Sequence, residues 1–218
     1  MRKKGTLGPI CAALLLAAGA CDKDATGPAG PGPSQSLTAA ESDYLAVQSD
    51  RMLDGVLGDV FSGQSASASA GPSATAASAG VADVPITTTF TFERTRPCSA
   101  GGQIVVSGSG EFVADRETAT AEMTVEGTRA LDACAFTHGD VTLTLNGNGE
   151  FDAHWKRVNR ELAEAQRNAS GSFEVTTSDG RSKSCTYELH ATYDAATNSV
   201  HVTGTFCGRE IDRTWTRD

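Results

Sequence analysis

The chain is 218 residues long, and four of its cysteines, Cys98, Cys134, Cys185 and Cys207, are the side chains best placed to do chemistry. Thiolates ligate zinc from close pairs such as Cys-x-x-Cys or beside paired histidines, and neither spacing occurs. An even number of thiols without that spacing points to disulfides formed in an oxidising compartment. Of three connectivities, Cys98 with Cys134 and Cys185 with Cys207 is the expected one, since the second pair lies at matched distances either side of the polar segment Asp194 to Ser199. Strict alternation puts Cys185 on an apolar face and Cys207 on a polar one, so this pairing predicts a bulge at Cys207-Gly208. Each closed loop is worth about 3 to 4 kcal/mol in the chain-entropy picture.

Other reactive groups are scattered. His138, His154, His190 and His201 form no ligand spacing, although His190 and His201 are expected to face each other across the last hairpin. Glu111 and Glu150 occupy equivalent places in two similar segments, yet both fall on the polar phase with no cleft implied. The run from Asn146 to Asp152 carries oxygens at alternate positions like a calcium loop, but its glycines are misplaced for one and its period is that of a strand. No nucleophile elbow, phosphate loop, dinucleotide fingerprint or zinc-protease helix is present. The sequence therefore predicts no catalytic residue, no metal and no cofactor. What it does offer is a set of inward-phased rings, Phe90, Phe112, Phe151, Phe173, Tyr187 and Phe206, interspersed with Gly108, Gly110, Gly147 and Gly149. Glycine inside a strand marks sharp coiling or close approach of a ligand. These residues are the candidate lining of an apolar cavity.

The chain begins with basic Arg2, Lys3 and Lys4, an apolar stretch containing Leu14, Leu15 and Leu16, and small residues up to Ala20, followed by Cys21. This is the three-zone layout of an export signal. Ala18-Gly19-Ala20-Cys21 resembles the bacterial lipobox, with Ala18 where the family prefers Leu. The resemblance implies a signal peptide over residues 1–20 and lipidation of Cys21, which would hold the chain to a membrane by acyl chains on the extracytoplasmic side. Loss of three basic residues with that leader shifts the formal net charge from −9 to −12. So acidic a chain has no electrostatic footprint for nucleic acid.

Behind Cys21, residues 21–37 are rich in Gly and Pro and read as a flexible stalk. Thr38 and Glu41 form a capping-box signature, after which Leu45, Met52, Leu53, Val56, Leu57, Val60 and Phe61 share one helical face, so an amphipathic helix is expected over 38–61. Gly55 and Gly58 fall off that face and weaken it. Residues 62–84 collapse to Ser, Ala, Gly and Thr and read as a disordered linker.

From 85 to 218 the pattern has period two, in about seven segments separated by short polar turns. The expected fold is all-β, an antiparallel meander forming a rolled sheet, barrel or small sandwich. Trp155 to Ala165 also fits a helix, but folding 141–156 back on 160–175 about Val158 matches apolar face to apolar face. Ile104 to Phe112 and Leu143 to Phe151 are near-copies that place Gly on the inward phase each time. The function these features favour is a lipid-anchored envelope module with an interaction or structural role, with a carrier of an apolar ligand as the alternative and a hydrolase using surface carboxylates a distant third.

Overall fold

The computed structural model describes residues 36–70 and 85–217, side chains of 65–70 excepted. The expected signal peptide, Cys21 and nearly all of the expected stalk lie outside the described residues, as do residues 71–84 of the expected linker. Helix α1 (Ala39–Ala70) is followed by β1 (Ile86–Pro97), β2 (Gln103–Asp115), β3 (Thr120–His138), β4 (Val141–Val158), β5 (Glu161–Thr177), β6 (Ser182–Asp194), β7 (Ser199–Phe206) and β8 (Arg209–Thr216). The eight strands form one antiparallel sheet in sequence order. The sheet is not closed, so of the expected forms it is the rolled open sheet and neither barrel nor sandwich.

Helix α1 starts as its residues dictate. The Thr38 amide donates to Glu41 Oε2 at 2.7 Å and the Glu41 amide donates to Thr38 Oγ1 at 3.2 Å. This reciprocal cap satisfies two amides that the first turn leaves without helical partners. The helix continues nine residues past Phe61 into the segment expected to be a disordered linker. Ser62 to Ala70 contains three alanines and no proline, and alanine is the best helix former. Leu37, expected in the stalk, is buried at the start of the core.

The sheet curls around this helix. Leu45, Leu53, Val56, Leu57, Val60 and Phe61 are all buried, packed against the inward residues of the strands. Burial of such side chains is worth about 1.5 to 3 kcal/mol each. Helix α1 touches both edge strands, β1 and β8, as well as β2, β3 and β7. Gly55 and Gly58 prove to be contact positions: a Cβ on Gly55 would strike the Arg96 guanidinium, and one on Gly58 would press on the Trp155 ring at 3.3 Å.

The hairpin about Val158 forms as the facing apolar patterns require, with Lys156 opposite Glu164 and the turn at Asn159-Arg160. The eighth strand, β8, exceeds the expected seven. Its inward positions are Arg209, Ile211, Arg213 and Trp215, so two of four are charged and the alternation of apolar and polar residues is lost.

Both expected disulfides are present. Cys98 and Cys134 have Cα atoms 5.4 Å apart, Cys185 and Cys207 4.5 Å apart. The expected bulge at Cys207-Gly208 is absent. A two-residue hairpin stands there instead, with φ of 54° at Cys207 and 77° at Gly208, and this positive-φ turn carries the Cys207 sulfur back toward Cys185. A register shift does occur in β3, between Leu131 and Cys134, where the Ala133 amide donates to Asn146 Oδ1 at 2.8 Å. That extra length keeps both Leu131 and Cys134 inward.

Candidate functional site

Strand pleating sorts the charges of this sheet. All carboxylates within the strands project outward, whereas Arg129, Arg167 and Arg213 project inward with Arg94, Arg96 and Arg157. Helix α1 supplies the opposite sign. Arg167, 1% exposed, donates from Nε and Nη2 to Asp50 at 2.9 to 3.1 Å and from Nη1 to Asp54. Burial works against the Arg167 charge, but the two carboxylates more than offset it and hold its pKa above the ordinary value. Asp54 also accepts from Arg217 Nε at 2.9 Å, and Asp50 from the Trp215 indole at 3.1 Å. Glu41 and Asp43 pair with Arg181 and Arg213. The inward face is thus a basic, apolar cradle filled by an acidic, apolar helix.

Arg129 is the exception. It is 2% exposed and has no carboxylate partner: its Nε donates to Tyr187 Oη at 3.0 Å, its Nη1 to the Ser49 carbonyl at 3.3 Å, and its Nη2 to nothing. The guanidinium lies 4.5 Å from the centre of the Tyr187 ring, a cation–π contact. Gly149 makes this possible, because the Tyr187 hydroxyl sits 1.7 Å from where a Cβ on Gly149 would be.

Among the described residues, the six rings expected to line a cavity fall into separate contacts. Phe173, Tyr187 and Phe206 pack on each other with centroids 5.0 to 6.3 Å apart. Phe112 instead meets Phe61 of the helix, which also meets Trp155. Phe90 lies against Phe92, and Phe151 over Gly127. Protein atoms occupy the room the glycines make: Tyr187 beside Gly149, Phe90 beside Gly110, the Phe173 backbone beside Gly147. Coiling of the sheet and close packing of rings account for these glycines.

The open concavity lies on the outward face. Two adjacent register rows cross the sheet there, Ser107, Thr128, Glu150, Ser170, Glu188 and Thr205 in one, and Ser109, Glu126, Asp152, Asn168 and His190 in the other. They line a trough of about 990 Å³ whose floor includes Gly108, Gly127 and Gly204. Across the second row, Asn168 Nδ2 donates to Asp152 Oδ2 at 2.8 Å while its Oδ1 lies 2.7 Å from His190 Nδ1, and His190 Nε2 lies 3.0 Å from the Thr192 hydroxyl. The trough contains four carboxylates and no lysine or arginine. Such a lining presents acceptors and negative charge, which suits a partner rich in N–H donors or cations.

Glu111 and Glu150 sit two strands apart in different rows and do not converge. Asn146 to Asp152 is straight strand, so its oxygens alternate with inward residues and cannot close on one ion. His190 and His201 are not opposite one another; His201 faces Thr192 and bonds Asp212 at 2.8 Å, while His138 turns inward against Tyr44. The inward arginines escaped sequence reasoning, although Arg129 and Arg167 both sit on the apolar phase of their strands. Compared with known families, curated proteins and solved structures, the chain matches none.

Proposed function

We propose that this protein is an extracytoplasmic interaction module, held to a membrane by lipid on Cys21, that offers the outward trough of its sheet to a partner bearing N–H donors or positive charge. The observation that carries this reading is the division of labour between the two faces. Helix α1 fills the inward face, with Leu53, Leu57 and Phe61 buried in it, while the outward face keeps a broad polar concavity open to solvent. Two disulfides suit an oxidising compartment, and no helix among the described residues is long and apolar enough to cross a membrane. Attachment therefore falls to the acyl chains, of which two or more give stable anchoring.

A photo-crosslinking residue at Ser170, mid-trough, tests the proposal in intact cells. A discrete adduct that disappears when Glu126, Glu150 and Glu188 are changed to Gln is the expected result. Adducts that are absent, or indifferent to those changes, refute the trough as the binding face, and failure of labelled palmitate to incorporate refutes the anchor.

A further inference from the structure

An open sheet has two edges, and here they are protected unequally. Strand β8 is eight residues long and carries Arg209, Glu210, Asp212 and Arg213, charges that discourage another strand from pairing. Strand β1 is twelve residues long; its second half carries Glu93, Arg94, Arg96 and Pro97, but its first seven residues, Ile86 to Phe92, have neither charge nor proline. All seven are Thr, Phe or Ile, strong strand formers. Ile86 is 37% exposed, the one large hydrophobic side chain exposed among the described residues, and Thr87, Thr88, Thr89 and Thr91 are exposed as well. Helix α1 meets β1 at its other end, through Arg96 over Gly55, while Phe92 points into the core.

We propose that Ile86 to Phe92 is a self-association edge, at which a second copy of this chain adds its own β1 antiparallel across a two-fold axis at Thr89. Side-chain chemistry selects that register. Centring on Thr89 sets Ile86 opposite Phe92 of the second copy and Thr88 opposite Phe90 on the inward face, and Thr opposite Thr on the outward one. Shifting it two residues toward Pro97 sets Ile86 opposite Arg94 and Thr87 opposite Glu93. Apolar, aromatic and Thr–Thr cross-strand pairs are the stabilising ones in antiparallel sheets. The paired stretch spans roughly 23 Å at about 3.3 Å per residue, a short interface. Short interfaces give weak association in free solution and gain strongly when the partners are confined together. Pairing also hides the unpaired amides and carbonyls of the edge, and of its seven residues only Thr91 also lines the outward trough.

Cysteine trapping decides the matter. In the mature chain, Thr89→Cys places two thiols directly opposite each other, and mild oxidation is expected to give a covalent dimer about tenfold or more faster than Thr214→Cys on β8, because pairing raises the effective concentration. Thr89→Lys sets two ammonium groups face to face and is expected to abolish self-association in sedimentation with the circular dichroism spectrum unchanged. Equal rates of cross-linking at positions 89 and 214 overturn the proposal. So does self-association undiminished in the lysine variant.

Discussion

Arg167 and Asp50 are joined by three hydrogen bonds of 2.9 to 3.1 Å, although one side chain comes from the middle of the sheet and the other from the middle of the helix. Both are almost wholly buried, 1% and 5% exposed. A buried pair of this kind contributes little net stability compared with well-packed apolar residues, but breaking it from one side strands a charge. Arg167 therefore fixes where along the sheet the helix docks, since any axial slip of α1 would leave its guanidinium without Asp50 and Asp54.

Replacing Asp50 with Ala is expected to destabilise the domain by about 3 to 5 kcal/mol, while replacing Asp50, Asp54 and Arg167 together with apolar residues costs much less. Urea unfolding of the single and triple variants measures both. A triple variant as damaged as the single one would contradict the docking role.

Arg129 should behave differently, because it has no carboxylate to strand. Arg129→Met forfeits bonds to Tyr187 and to the Ser49 carbonyl, each worth about 0.5 to 1.5 kcal/mol, and relieves a buried charge with an unbonded Nη2. The same measurement is expected to show a smaller loss for Arg129→Met than for Arg167→Met.

Acid should loosen the start of the helix in a defined window. The hydrogen bond from Arg181 is the main cause that pulls Glu41 from its ordinary pKa of 4.5 to about 2. A carboxylate depressed by folding stabilises the fold fully above its unfolded pKa, and that stabilisation fades as pH falls toward the folded value. Urea midpoints are thus expected to drop between pH 4.5 and about 2. In Glu41→Gln the fall should be shallower, with a remainder from Asp179, which Arg181 and the Thr177 hydroxyl pull down to about 2 as well.

Gly149→Ala puts a methyl group 1.7 Å from the Tyr187 hydroxyl and 2.2 Å from the Ser170 carbonyl. Overpacking of this sort costs about 1 to 3 kcal/mol. Gly139→Ala is a useful contrast, since its Cβ would meet no atom within 4 Å and its only obstacle is a φ of 61°. Thermal melts of the two variants should rank Gly149→Ala as the more damaging.

Several of these features are written openly in the sequence. Thr38 and Glu41 cap the helix, the apolar stripe from Leu45 to Phe61 faces the core, and the fold about Val158 follows from pattern matching alone. The docking polarity is hidden because charged residues interrupt the apolar pattern by which a core face is recognised. Asp50 and Asp54 are spaced with Leu57 and Phe61 at steps of three and four residues, so they lie within the apolar stripe, and Arg167 takes the inward phase between Ala165 and Ala169. A charge on an apolar phase is the signal that a partner awaits it. Strand β8 was illegible for the same reason, its inward arginines masking the alternation. The trough needed the register: Glu126, Glu150, Asp152 and Glu188 come from three different strands, and only the pairing of β3 through β6 brings them side by side.

Hydrogen exchange of α1 tests most directly whether the helix occupies the inward face and so leaves recognition to the outward one. Amides from Leu45 to Phe61 are predicted to exchange as slowly as those of the central strands β3 to β5, because helix and sheet would open together. Exchange of the helix at the rate of a free peptide, with the sheet still protected, would contradict the account and return the inward face to the role of a ligand cradle.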